Sequence, residues 1–125
     1  MAKIMVVDDE KDIRISLKNL LEAQGYQVIM AEDGDQYLQL VKKEKPDLVM
    51  LDILMVRKDG VQTLKELMQA NPKEKVIMVT VVGQEQVIKE AMKAGASDYI
   101  LKPFDFENIL ETVKRVLKTE NFDNW

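Results

Sequence analysis

Leu48-Val49-Met50-Leu51, closed by Asp52, is the stretch on which the fold turns. Four apolar residues in a row with no polar interruption do not suit a strand with one wet face, which would alternate; they suit a strand covered on both faces of a parallel sheet. Ile4 to Val7 and Val76 to Val79 have the same character, so these three runs are expected at the centre of the sheet. Val28 to Met30 and Tyr99 to Leu101 complete the set of short, β-branched-rich runs.

Segments with helical spacing separate the runs. Their apolar stripes are Ile13, Leu17, Leu20 and Leu21, then Tyr37, Leu38 and Val41, then Val61, Leu64, Leu67 and Met68. Val87, Ile88, Ala91 and Met92 form the fourth, and Ile109, Leu110, Val113, Val116 and Leu117 the fifth. Gly25 and Gly95 stand where left-handed C-caps are expected, Asn71 and Pro72 end the third helix, and Asp105 can cap the fifth. The order is therefore βα five times, an α/β doubly wound parallel sheet with right-handed crossovers and helices on both faces.

The 125 residues, 46% of them apolar, fit one domain with one continuous core. The domain is expected over residues 1–119, with 120–125 as a short tail. The chain has no Cys, which removes disulfides, thiolate metal sites and a Cys nucleophile, and makes the reducing cytoplasm the expected location. No run approaches a membrane span or a signal-peptide core, so no membrane association is expected. A net charge of −4 argues against direct nucleic-acid binding. With no His there is no imidazole base or ligand, so chemistry has to run on Asp, Glu, Lys, Ser, Thr or Tyr.

Asp8 and Asp9 follow the first strand, Asp52 the third, Thr80 the fourth and Lys102 the fifth. Taken singly, these are ordinary caps, loop carboxylates and a surface lysine. Taken together, all stand at carboxyl ends, where the functional crevice of a doubly wound sheet lies. Three carboxylates there repel one another by about 1–4 kcal/mol per pair, so a cation is expected. With oxygen ligands only, it should be a hard divalent ion such as Mg²⁺. The metal, Lys102 and the Thr80 hydroxyl could together meet the oxygens of a phosphoryl group, with Asp52 as nucleophile.

These residues resemble the receiver domains of two-component response regulators, the CheY-like superfamily, from Lys3 to about Lys118. Val6-Val7-Asp8-Asp9-Glu10 is similar to the family's acidic pair, Asp47 to Asp52 to the strand bearing its phosphorylated aspartate, and Asp59-Gly60 to the following turn. Thr80 matches the switch hydroxyl, Gly95-Ala96-Ser97-Asp98-Tyr99 the segment at the switch aromatic, and Lys102-Pro103-Phe104 the Lys-Pro motif.

The resemblance implies a flavodoxin-like (βα)5 fold with strand order 2-1-3-4-5 and a cis Lys102–Pro103 bond. It implies Asp52 as phosphoacceptor, with Asp9 and Asp52 as direct ligands of Mg²⁺, or of Mn²⁺ in its place, Asp8 through water and Leu54 through its backbone carbonyl. The donor would be a phosphohistidine on a sensor histidine kinase or histidine phosphotransfer protein, which agrees with the absence of His here. Phosphorylation would draw Thr80 inward and rotate Tyr99, changing a partner-binding surface on the fourth helix, fifth strand and fifth helix. The chain would catalyse its own phosphorylation and dephosphorylation while serving mainly as a signalling switch.

Val56 stands where the family commonly has Pro, and Lys58 where an apolar residue is common, which bears on partner choice. Val81 stands where a small Ala is usual and Val82 follows; both could narrow access to the phosphoryl group and slow its hydrolysis. An aspartyl-nucleophile phosphatase would want an Asp two residues after the nucleophile, where Leu54 stands. A nucleotide or flavin binder would want a loop of backbone donors where Asp8 and Asp9 stand. The alternatives within the family are a receiver-like adaptor that is never phosphorylated and the receiver half of a DNA-binding regulator.

Overall fold

The computed structural model describes residues 2–53, 59–81 and 83–118. In chain order the elements are β1 (Lys3–Val7), α1 (Lys11–Ala23), β2 (Gln27–Ala31), α2 (Gly34–Glu44), β3 (Leu48–Asp52), α3 (Gly60–Ala70), β4 (Val76–Val81), α4 (Glu85–Ala94), β5 (Asp98–Lys102) and α5 (Phe106–Lys118). The five strands are all parallel and lie in the order β2-β1-β3-β4-β5. The three unbroken apolar runs are thus central and buried, and the two edge strands are the less buried ones.

The pleat sorts each central strand between two cores. Met5, Val7, Val49, Leu51, Val76 and Met78 pack with Tyr37, Val41, Val61, Leu64, Leu67 and Ala91, placing α2, α3 and α4 on one face. Ile4, Val6, Leu48, Met50, Ile77, Val79 and Ile100 pack with Leu17, Leu21, Ile109, Val113 and Val116, placing α1 and α5 on the other. A strand with both faces covered has no place for polar alternation, which is why the runs are unbroken.

Helix ends follow the expected chemistry. Gly25 and Gly95 have φ of +92° and +115° beyond α1 and α4, Asn71 ends α3, and the Asp105 carboxylate accepts from the Glu107 and Asn108 N–H groups at the start of α5. Strands run one or two residues beyond the apolar runs. Asp52 and Lys102 are the last residues of β3 and β5, and Thr80 lies within β4, because the ladder continues through the pairs Asp52–Val79, Thr80–Leu101 and Val81–Lys102. Backbone pairing does not require an apolar side chain, so the ladder outlasts the hydrophobic signal.

Candidate functional site

The carboxyl ends of β1, β3 and β5 converge on one crevice. Asp8, just past β1, is fully engaged: its N–H donates to the Ala31 carbonyl at 3.2 Å, and its carbonyl accepts from Arg14 Nη1 at 2.6 Å. Its Oδ1 accepts from the Glu10 N–H at 2.9 Å and its Oδ2 from Lys102 Nζ at 3.0 Å. Lys102 Nζ also lies 3.7 Å from Asp52 Oδ2 and 3.9 Å from Glu10 Oε1. One ammonium therefore sits among three carboxylates from two segments of the chain.

Burial makes this cluster costly to leave uncompensated. Asp8 is 2% exposed and Asp52 4%. Burial alone would pull the Lys102 ammonium down, but its hydrogen bond to Asp8 and the charges of Asp52, Asp8 and Glu10 outweigh that and hold it above the ordinary lysine value. Carboxylate oxygens of Asp8, Asp9 and Glu10 lie within 4.8 Å of one another, graded from buried to exposed. An oxygen-only set of this kind, open on one side, suits a hard divalent cation that keeps part of its water shell.

Thr80 is 1% exposed, and its hydroxyl donates to the Val81 carbonyl at 3.4 Å, a long bond that leaves the side chain weakly held. Tyr99 is half exposed on the edge strand β5, its N–H donating to the Asp98 carboxylate. By alternation Tyr99 shares a sheet face with Thr80, the face of α2, α3 and α4, whereas Lys102 shares that of Ile100. The Lys102–Pro103 peptide is cis. Leu54, Val56, Lys58, Val82 and residues 120–125 lie outside the described residues.

A receiver-domain family model, described as the response regulator receiver domain, matches residues 4–114. The chain belongs to that family. Among curated receivers and their relatives, it is 42% identical over 118 residues to protein CcdB of Bacillus subtilis (strain 168), covering 94% of this chain and 98% of that protein. It is 39% identical over 115 residues to sporulation initiation phosphotransferase F of the same organism, covering 92% of this chain and 93% of that one. The crystal structure of the receiver domain of NtrX from Brucella abortus superposes with a TM-score of 0.89 at 34% identity, covering 94% of this receiver and 99% of that chain.

Two contributors to the site carry no role in the sequence reading. Arg14 occupies the buried stripe of α1 with Leu17 and Leu21. A cation at the first position of an apolar stripe was the available signal, since a buried guanidinium implies an acceptor nearby. Gly60 brings its backbone against Asp52 and Ile53, its N–H donating to the Ile53 carbonyl at 2.8 Å. The Asp59-Gly60 turn was visible in sequence, but the closeness of that approach was not.

Proposed function

We propose that this receiver takes a phosphoryl group from a partner's phosphohistidine onto Asp52, with a Mg²⁺ ion at the acidic cluster, and so switches a partner-binding surface. The observation that carries this is the Lys102 ammonium bridging Asp8 and the nearly buried Asp52 at the mouth of the sheet, beside the carboxylates of Asp9 and Glu10. In the transfer, an Asp52 oxygen forms the P–O bond while the P–N bond breaks and its electron pair returns to the partner's imidazole. Lys102 is released from Asp8 to follow the phosphoryl charge, and the Thr80 hydroxyl, weakly held to Val81, turns toward it. Asp8, Asp9 and Asp52 would hold the ion, which supplies charge neutralisation when bound. Leu54 would contribute its carbonyl.

The switch surface on this reading is α4, β5 and α5, where Tyr99, Leu101, Met92 and Phe106 are exposed. The donor would be a sensor histidine kinase or histidine phosphotransfer protein, which fits a relative named as a phosphotransferase. No helix among the described residues is long and apolar enough to cross a membrane, and cytoplasmic action follows from the proposed partners. Mixing the protein with acetyl phosphate, with and without Mg²⁺, and weighing it intact tests the reading. The expected result is a Mg²⁺-dependent gain of one phosphate, lost in Asp52→Asn. No gain from acetyl phosphate or from a phosphorylated kinase overturns it in favour of an adaptor.

A further inference from the structure

Arg14 stands out among the charged residues because its position is expensive. It projects from the buried stripe of α1, and its side chain is 11% exposed. A guanidinium so placed requires acceptors, and what it finds is a main-chain group: Nη1 donates to the Asp8 carbonyl at 2.6 Å. Nη2 lies 3.8 Å from Glu32 Oε1, in the turn after β2. The Asp8 N–H meanwhile donates to Ala31, the last residue of β2. The peptide units on both sides of Asp8 are thereby fixed, one by the neighbouring strand and one by the helix that follows.

We infer that Arg14 is a positioning residue for the divalent cation: it clamps the Asp8 main chain so that the Asp8 and Asp9 carboxylates are already aimed when the ion arrives. The inference rests on the cation reading of the acidic cluster given above. The Asp8 carboxylate is held by the Glu10 N–H and by Lys102, and both bonds depend on where the Asp8 main chain stands, while Glu10 precedes the first turn of α1. Without the clamp, the Asp8 carbonyl loses its guanidinium donor, and the peptide joining Asp8 to Asp9 is less firmly oriented. The acidic pair then has to be ordered by the ion itself, at the expense of affinity.

The direction of the effect separates this role from the two bland ones. As a bare positive charge close to the site, Arg14 repels a cation, so its removal would tighten binding. As a packing residue only, it would lower the melting temperature and leave the affinity of the folded protein unchanged. As a clamp, its removal weakens binding.

The test uses the whole chain and Mn²⁺ as probe, counting free ion by its paramagnetic resonance signal, together with hydrogen exchange of the Asp8 amide in the metal-free protein. In Arg14→Ala the Mn²⁺ dissociation constant is expected to rise by about 10-fold, as for other groups that orient metal ligands from behind. The Asp8 amide should exchange about 10-fold faster. Arg14→Lys keeps the charge and loses the fork, so its affinity should fall between the two. An Arg14→Ala protein that binds Mn²⁺ as tightly as wild type, or tighter, overturns the inference, as does unchanged Asp8 exchange. Should Arg14→Ala fail to fold, Arg14→Lys carries the same test, and wild-type affinity there overturns it. Wild-type protein that binds no Mn²⁺ overturns the cation reading itself, and the Asp8 exchange rate then decides the clamp separately.

Discussion

Replacing Gly60 by Ala is the sharpest mechanical test of how the site is assembled. A Cβ at this position would stand 2.2 Å from the Asp52 carbonyl oxygen, 2.7 Å from Ile53 Cα and 2.8 Å from the Ile53 carbonyl oxygen. Ordinary carbon contacts are about 3.5–4.0 Å, so the start of α3 has to move by roughly 1 Å. All three obstacles are backbone atoms, which cannot rotate aside as a side chain could. The Gly60 N–H bond to the Ile53 carbonyl, 2.8 Å long, resists the same movement.

Overpacking typically costs about 1–3 kcal/mol, and a collision with backbone belongs at the upper end. At roughly 3–5 °C per kcal/mol for a domain of this size, the melting temperature should fall by about 10 °C. The displaced peptide belongs to Asp52 itself, so a misplacement of about 1 Å should also slow phosphorylation by acetyl phosphate on the order of 100-fold. Gly25→Ala is the control: φ is +92° there, with nothing within 4 Å of the added carbon. It should cost about 1–2 kcal/mol through backbone strain alone and leave phosphorylation unchanged. A Gly60→Ala protein that melts within about 2 °C of wild type and phosphorylates at the wild-type rate refutes the close-approach account.

Lys102 has its pKa held above the ordinary value, so it contributes stability that is present below pH 10.5 and lost as the pH rises beyond that. Denaturant titrations from pH 9 upward should show the loss in wild type and a flatter profile in Lys102→Met. Glu74 is raised to about 7, first by burial and then by the Asp47 charge. Because the folded state holds the proton more tightly than the unfolded one, stability should fall as the pH rises from 4.5 to about 7. Glu74→Gln should flatten that slope and, after allowance for partial solvent screening, stabilise the protein at pH 8 by about 1 kcal/mol; an unchanged slope excludes Glu74 as its source. Val81 is 42% exposed at the end of β4, in register with Lys102. As a branched side chain beside the proposed phosphoryl site, it should slow hydrolysis of the Asp52 phosphate, and a lifetime in Val81→Ala no shorter than in wild type would remove it from that role.

The fold was legible because the sheet writes itself into runs such as Leu48 to Leu51, where burial on both faces leaves no room for polar residues. Glycines in the left-handed region marked where α1 and α4 stop, since few other residues tolerate that backbone; Lys45, at φ +49°, ends α2 without such a mark. The placement of Asp8, Asp52 and Lys102 at one edge was legible for the same reason, as each sits one step beyond an apolar run and parallel strands bring like ends together. What stayed hidden was the support behind them. Arg14 acts through a main-chain carbonyl, and Gly60 through what its missing side chain allows, so neither adds a charged or nucleophilic group to the crevice. Sequence displays the side chains that line a site, but the contacts that hold Asp8 in place are made to its N–H and C=O, which every residue carries. Such supports have to be sought where a residue breaks the pattern of its own element, as Arg14 does among the apolar positions of α1.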